Sequence, residues 1–136
     1  MKRILVICTG NSCRSQIAEG YFRKYSKGKV DIHSAGIEAH GINPKAVEVM
    51  KEAGIDISGQ DSKTIDRYLN QHFDYVITVC GNARENCPYF PGSSISIHQD
   101  FPDPANAIGS DEIVMQEYRK VRDSIDQFVK DFFKGL

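Results

Sequence analysis

Short apolar runs alternate along this chain with longer segments in which apolar residues recur at helical spacing. Such alternation is typical of βαβ units built around a parallel sheet. Four runs predict strands, at residues 3–7, 30–33, 75–79 and 94–97. Right-handed crossovers bring the carboxyl ends of such strands to one edge of the sheet, and ligands of open α/β sheets bind there. We therefore expect any functional site at that edge.

Three segments between and after these strands predict helices. The first begins near Arg14, and its apolar face consists of Ile17, Tyr21, Phe22 and Tyr25. Asn43 can cap the second helix, which has Pro44 at its first position and stops at Gly54. The third follows the candidate cap Ser110, and its apolar residues step by three and four: Val114, Tyr118, Val121, Ile125, Phe128 and Phe132. We expect this last helix to pack against the sheet.

Composition limits the classes of fold and partner. The 136 residues, 40% of them hydrophobic, predict one domain over residues 1–136, an α/β fold with a four-stranded parallel sheet and helices on both faces. A formal net charge of -1 argues against nucleic acid or an anionic membrane as the main partner. The apolar run after residue 3 is too short for a signal peptide or a membrane span, so we expect a cytoplasmic protein. Its four cysteines are then not expected to form permanent disulfides.

Residues 8–15 read Cys-Thr-Gly-Asn-Ser-Cys-Arg-Ser and follow the first predicted strand. A short loop in which Gly10 takes a positive φ can turn its backbone N–H groups inward, and the helix near Arg14 adds its positive end. Arg14 also offers a planar fork to two oxygens of a tetrahedral anion. The same field stabilises a thiolate at Cys8, to which the Ser15 hydroxyl can donate. The segment predicts an oxyanion site with a nucleophile; the alternative is a buried cysteine in a glycine-containing turn.

Two later features are expected at the same edge of the sheet. Cys80 follows the third predicted strand, and Asp103 stands between Pro102 and Pro104 after the fourth. Displacing an oxygen from a tetrahedral anion requires a proton donor, and Asp103 is the natural general acid. Alone, Asp103 would be interpreted as an exposed turn residue, a common role in Asp-Pro sequences. Beside the predicted oxyanion site, we interpret it as the acid.

Cys80 and Cys87 supply sulfurs that can carry oxidising equivalents away, which a redox enzyme needs and a phosphatase does not. An intact helix between them would separate the two by about 10 Å along its axis, whereas a disulfide requires α-carbons within about 7 Å. Forming that bond must therefore remodel the segment. Gly81 and Asn82 are poor helix formers and Pro88 prevents continuation, so the segment suits local unfolding. Our hypothesis is a redox switch.

Zinc is the competing explanation for the cysteines. Their spacings are Cys-x4-Cys and Cys-x6-Cys, without the Cys-x2-Cys pair of a zinc knuckle. Cys13 is expected to point away from the bound anion and to pack. The histidines show no metal-ligand spacing, although His40 could approach the site.

A series of short motifs runs along nearly the whole chain, at residues 8–16, 34–38, 43–46, 56–58, 79–80, 86–88 and 103–105. In this order they closely resemble the thioredoxin-coupled arsenate reductases, the three-cysteine branch of the low-molecular-weight tyrosine phosphatase fold. The resemblance implies an oxyanion-binding loop formed by Thr9, Gly10, Asn11, Ser12, Cys13 and Arg14. It also implies catalytic roles for Cys8, Arg14, Ser15, Cys80, Cys87 and Asp103.

The implied reaction begins with attack of Cys8 on arsenate, with Asp103 protonating the departing oxygen. Cys80 then attacks Cys8 and arsenite leaves with two electrons. Cys87 resolves the Cys8–Cys80 disulfide, and thioredoxin reduces the resulting Cys80–Cys87 bond. By the same resemblance the protein holds no tightly bound cofactor, and we expect a monomer.

Some relatives hold a potassium ion beside the loop with residues that match Asn11, Glu19 and Ser34, together with an acid from the segment after residue 58. Here Lys63 stands in the place of that acid, and its ammonium could replace the cation outright. Asp61 lies close by, so the sequence leaves potassium open. The alternative is that Asn11 and Glu19 only brace the loop, since a hard cation needs several oxygen ligands.

Two other functions use part of the same residue set. A phosphatase would need only Cys8, Arg14 and Asp103, but phosphatases of this fold usually carry aromatic residues after the Asp-Pro pair, where this chain has Ala105 and Asn106. A redox sensor without catalysis would need only the cysteines. The complete set of nucleophile, anion-binding group and acid favours the reductase.

Overall fold

The computed structural model describes residues 1–86 and 95–135. Its strands are β1 (Lys2–Cys8), β2 (Val30–Gly36), β3 (Tyr75–Thr78) and β4 (Ile95–His98). They form one parallel sheet in the order β2-β1-β3-β4. The predicted α/β fold with four parallel strands is confirmed.

The helices are α1 (Arg14–Ser26), α2 (Pro44–Glu52), α3 (Gly81–Asn86) and α4 (Asp111–Lys134), with short 3₁₀ helices at Ile65–Tyr68 and Pro104–Asn106. The predicted caps form. The Asn43 side chain accepts a hydrogen bond from the backbone N–H of Lys45 at 2.8 Å, and Ser110 accepts one from Ile113 at 3.3 Å. Gly54, just after α2, has a φ of +80°.

One face of the sheet carries Ile4, Ile32 and Tyr75, which align with one another across β1, β2 and β3. Helix α4 reaches this face through Phe132, whose ring centroid lies 5.1 Å from that of Tyr75 and 5.2 Å from that of Phe22 in α1. Otherwise α4 packs chiefly on α1 and α2. The expectation that α4 packs against the sheet is confirmed at Phe132, whereas most of its contacts are with α1 and α2.

The opposite face carries Arg3 and His33, on alternate positions of β1 and β2. Residues from the 3₁₀ helix Ile65–Tyr68 and the chain after it cover this face. The Tyr68 and Phe73 rings lie 5.2 Å and 6.0 Å from His33, and the Arg3 guanidinium lies 4.5 Å from the Phe73 ring centroid. Helical segments thus cover both faces.

The carboxyl ends of the strands meet at one edge. From β1 the chain crosses to β2 on one side, and it then returns to β3 on the other side of β1. Ligands of open α/β sheets bind where the strand order reverses in this way. No helix within the described residues is long and apolar enough to cross a membrane.

Candidate active site

Residues 8–14, hereafter the oxyanion loop, connect β1 to α1 at the reversal of strand order. Asn11, with a φ of 46°, is the residue in the left-handed region, and Gly10 is not. The expectation of a positive φ at Gly10 was wrong. A Cβ at Gly10 would lie 2.3 Å from Nδ1 of His40, so a larger residue there would force the His40 ring or the loop to shift. The N-cap residue of α1, Cys13, makes no side-chain hydrogen bond to the first turn, which leaves backbone N–H groups of that turn available to an anion.

Cys8 is buried at the end of β1, and its Sγ lies 2.9 Å from Oγ of Ser15. The Asn11 amide donates to Ser15 Oγ at 2.8 Å and to Ser34 Oγ at 2.9 Å. Ser34 in turn donates to a carboxylate oxygen of Glu19 at 2.6 Å. Both amide hydrogens of Asn11 are used in these bonds. Because Ser15 Oγ accepts from Asn11, its own hydroxyl proton can be donated to Cys8 Sγ. The chain of hydrogen bonds from Glu19 through Asn11 thus ends on the Cys8 sulfur.

The oxyanion loop forms the floor of a pocket of about 190 Å³, which Asp103 and Ala105 also line. The Arg14 guanidinium donates to the backbone carbonyl of Phe101 at 3.0 Å and lies 3.6 Å from a carboxylate oxygen of Asp103. The other Asp103 oxygen accepts from the N–H of Ala105 at 3.0 Å, which fixes the carboxyl at the pocket mouth. Two predicted residues of the oxyanion loop, Cys8 and Arg14, therefore share one pocket with Asp103, which is distant from them in the sequence.

Cys80 lies beside the oxyanion loop rather than in the pocket lining. Its side chain is buried, and its Sγ lies 3.2 Å from the Thr9 hydroxyl, which also accepts from Asn82 at 3.2 Å. The Ala83 N–H points at the same sulfur at 3.4 Å. Helix α3 starts directly after Cys80, and Cys87 lies outside the described residues. A disulfide between the two stays a prediction.

Cys13 borders the pocket, but its thiol does not share the environment of Cys8. Burial raises the pKa of Cys13 to about 12, with the charges of Asp103 and Cys8 adding to the shift and Arg14 opposing it. A thiol with such a pKa stays protonated at neutral pH and is a poor nucleophile. Within residues 1–86 and 95–135 no cluster of three or more His, Cys, Asp or Glu could hold a metal ion.

Residues 60–63 brace the oxyanion loop from outside. The resemblance places Asp61 and Lys63 near Asn11 and Glu19, but the sequence does not single out Gln60 and Ser62. The Gln16 side chain donates to the carbonyls of Asn11 and Asp61 at 3.0 Å and 2.8 Å, and Gln60 donates to Gln16. The Ser62 hydroxyl donates to the Gly10 carbonyl at 3.2 Å. We call residues 60–63 the brace segment. For Gln60 and Ser62, the sequence signal that could have indicated a contact is the polar residue Gln16 inside an apolar helix face.

The brace segment also buries a lysine against the hydrogen-bond chain of Cys8. Lys63 is 9% exposed, and its ammonium lies 2.7 Å from the Asp61 carbonyl, 3.5 Å from Oδ1 of Asn11 and 3.8 Å from Oε1 of Glu19. Burial lowers the pKa of Lys63, and the Glu19 carboxylate opposes that shift. Arg23 holds the other Glu19 oxygen at 2.8 Å. A cavity of about 490 Å³ opens beside this cluster, away from Cys8.

Comparison with known proteins agrees with this geometry. Residues 3–136 match the family of low molecular weight phosphotyrosine protein phosphatases. An arsenate reductase of Halalkalibacterium halodurans is 53% identical over 131 residues, 96% of this chain and 94% of that protein.

Two solved structures are similar over nearly their whole length. An arsenate reductase in the phosphate-binding state has a TM-score of 0.80 at 32% identity, covering 99% of this chain and 98% of that one. An arsenate reductase in the oxidized state has a TM-score of 0.83 at 31% identity, covering 96% and 95%. The resemblance found in the sequence motifs is confirmed, and the chain belongs to the low molecular weight phosphotyrosine protein phosphatase family, in which its similar relatives include arsenate reductases.

Proposed function

We propose that this protein reduces arsenate to arsenite at Cys8, transfers the resulting disulfide through Cys80 to Cys87, and is reduced again by thioredoxin. The observation that carries the proposal is the buried thiol of Cys80, whose Sγ lies 3.2 Å from the Thr9 hydroxyl of the oxyanion loop, beside the pocket that Cys8, Arg14 and Asp103 line. Ester hydrolysis would use Cys8, Arg14 and Asp103 alone. Only chemistry that moves electrons needs the additional sulfur.

In the first step the Cys8 thiolate attacks the arsenic atom of arsenate. The Ser15 hydroxyl donates a hydrogen bond to the sulfur before the attack, and Arg14 turns from Asp103 to two arsenate oxygens. Asp103, acting as the general acid, transfers a proton to the departing hydroxyl oxygen, which leaves as water. A sulfur–arsenic(V) bond remains on Cys8.

In the second step the Cys80 thiolate attacks the Cys8 sulfur. A sulfur–sulfur bond forms, the sulfur–arsenic bond breaks, and its electron pair stays on arsenic, which leaves as arsenite. Two thiols have then lost the two electrons that reduce arsenic(V) to arsenic(III). The contact between the Thr9 hydroxyl and Cys80 Sγ supports this step, because it keeps the second thiol next to the loop.

In the third step the Cys87 thiolate attacks Cys80 and releases Cys8 as a thiolate. Helix α3 occupies Gly81–Asn86, so its turns must open before the two sulfurs can bond. The Cys80–Cys87 disulfide is then reduced by thioredoxin, whose potential of about -270 mV is low enough for a strained, exposed disulfide. This cycle requires a reducing compartment, and we propose that the protein acts in the cytoplasm as a monomer.

The test is arsenate-dependent oxidation of NADPH by the purified protein with thioredoxin and thioredoxin reductase. We expect many turnovers with the wild type and none with Cys80→Ser. Hydrolysis of a phosphate ester, measured beside it, should be weak and should survive Cys80→Ser. Absence of arsenate-dependent oxidation together with rapid ester hydrolysis would refute the proposal.

A second variant isolates the last thiol. Cys87→Ser should complete at most one turnover per molecule, because the Cys8–Cys80 disulfide forms but is not resolved. A burst of one arsenite per protein, followed by no further NADPH oxidation, is the expected trace. Sustained thioredoxin-driven turnover by this variant would exclude the relay.

Hydrolysis of phosphate esters is the alternative function, favoured by the family match and by the shared shape of arsenate and phosphate. Against it as the main activity, the pocket wall beside Asp103 is formed by Ala105, which offers an aryl ring little to stack on. Phosphotyrosine hydrolysis much faster than arsenate reduction would favour this alternative.

A further inference from the structure

The buried ammonium of Lys63 is surrounded by oxygens in the way a bound monovalent cation would be. Its neighbours are the Asp61 carbonyl, Oδ1 of Asn11 and Oε1 of Glu19, at 2.7, 3.5 and 3.8 Å. A charged group is buried at this depth only when such partners compensate for its lost hydration. The cluster therefore resembles a monovalent-cation site in which the ammonium of Lys63 takes the place of the ion.

We propose that Lys63 acts as a built-in cation that positions the oxyanion loop, so that this protein needs no potassium ion. The proposal rests on the proposed function where it concerns turnover, but its binding and folding consequences are independent of that function. Lys63 touches no substrate and is a positioning residue.

The path from Lys63 to the nucleophile is short. Both the backbone N–H of Lys63, at 2.9 Å, and its ammonium point at Oδ1 of Asn11. These two contacts fix the Asn11 side chain so that its NH2 group donates to Ser15 and Ser34, and Ser15 contacts Cys8. The ammonium thus stabilises a left-handed residue in the loop and the hydroxyl that supports the thiolate.

A potassium ion does not fit beside these residues. The oxygens that could bind it are those of Asn11, Glu19, Ser34 and the Asp61 carbonyl, and the ammonium already lies among three of them. Glu19, 2% exposed, is contacted by Arg23 as well as Lys63, so its charge is already balanced by two cations. A further cation would meet repulsion from both.

The test replaces the tethered cation with a carboxylate. In Lys63→Asp, two carboxylates and the Asn11 and Asp61 oxygens would face the same point, which suits a potassium ion. The exposed Lys29→Asp is the control for the same change of net charge, and Lys63→Met removes the charge without adding a ligand. Each protein is measured in potassium chloride and in sodium chloride of equal ionic strength.

Three readouts are compared: the midpoint of thermal unfolding, the rate at which iodoacetamide alkylates Cys8, and kcat and KM for arsenate. For the wild type and Lys29→Asp we expect no difference between the two salts in any readout. For Lys63→Asp we expect potassium to raise the midpoint by about 4 °C and to restore Cys8 alkylation at least severalfold. For Lys63→Met we expect a lower midpoint and slower alkylation in both salts.

Two results would overturn the inference. One is a wild type that potassium stabilises and accelerates as much as it does Lys63→Asp. The other is a Lys63→Asp or Lys63→Met variant that matches the wild type in sodium, since the ammonium would then position nothing. If neither the wild type nor any of the three variants reduces arsenate, the proposed function fails. The unfolding midpoints and the rates of Cys8 alkylation still decide the role of Lys63 in that case.

Discussion

At the scale of single residues, the two cysteines of the oxyanion loop differ in chemistry although they lie five positions apart in sequence. Cys8 adjoins a hydroxyl whose proton is directed at it, whereas burial raises the pKa of Cys13 to about 12. Iodoacetamide at about pH 8 should therefore modify Cys8 and leave Cys13 unmodified. Peptide mass spectrometry of the alkylated protein measures both, and substantial label on Cys13 would contradict this environment.

Gly10 and His40 make a second prediction at this scale. Because a Cβ at residue 10 would overlap the His40 ring, Gly10→Ala should displace the oxyanion loop and lower kcat/KM for arsenate about tenfold. Removing the ring by His40→Ala alone should have a small effect. In the double variant most activity should return, with a coupling energy of about 1 kcal/mol. If kcat/KM of the double variant is no higher than that of Gly10→Ala, the loss of activity does not arise from the contact with His40.

The oxyanion loop also shows which features of the site the sequence could predict and which it could not. The types and spacing of Cys8, Arg14 and Asp103 were sufficient to predict which residues meet. The left-handed position was assigned to Gly10 on intrinsic preference. Asn11 takes it instead, because its side chain bonds Ser15, Ser34 and the brace segment, and such tertiary bonds cannot be inferred from local propensity.

At the scale of elements, short apolar runs predicted the described strands, and helical periodicity predicted the three longer helices, of which α2 and α4 each bury one regular face. The neighbour of α4 was less predictable, because an apolar stripe does not specify what covers it. The brace segment had no periodicity at all. Its residues act through side-chain and carbonyl hydrogen bonds to α1 and the oxyanion loop, which only the folded chain brings within reach.

Helix α4 provides a prediction about stability. Ile125 is fully buried in it, while Ile113, in its first turn, is 52% exposed. Ile125→Ala should lower the free energy of unfolding by about 2–4 kcal/mol, and Ile113→Ala should change it by less than about 0.5 kcal/mol. Urea unfolding measures both. Because α4 contributes no side chain to the pocket around Cys8, kcat should be unchanged in either variant while it remains folded.

At the scale of the whole molecule, the parallel sheet places the groups that react. Cys8 ends β1, Cys80 follows β3 and Asp103 follows β4, so three crossovers bring them to one edge although 95 positions separate the first from the last. In the proposed cycle, hydrolysis and reduction then differ by two additional thiols, Cys80 and Cys87, rather than by architecture. That is why the family match alone leaves the reaction open and Cys80 carries the proposal.

Arg3 holds the opposite edge of the sheet together, and its partners make the whole fold sensitive to acid. Its guanidinium bonds Asp31 at 2.9 Å, and its backbone N–H bonds Asp74 at 2.8 Å. Burial opposes ionisation of Asp31, but hydrogen bonds from Arg3 and His33 outweigh it and lower the pKa of Asp31; the Arg3 N–H lowers the pKa of Asp74.

A carboxyl whose pKa is lowered by folding stabilises the protein fully above its unfolded pKa, and this contribution is lost as pH falls through the folded pKa. The free energy of unfolding should therefore decline from about pH 5 downward. Asp31→Asn should be less stable than the wild type at neutral pH and should show a shallower decline, measured by urea unfolding across the acid range. The exposed Asp100→Asn is the matched control and should keep the wild-type slope. An unchanged slope in Asp31→Asn would mean that the acid sensitivity arises from other carboxylates.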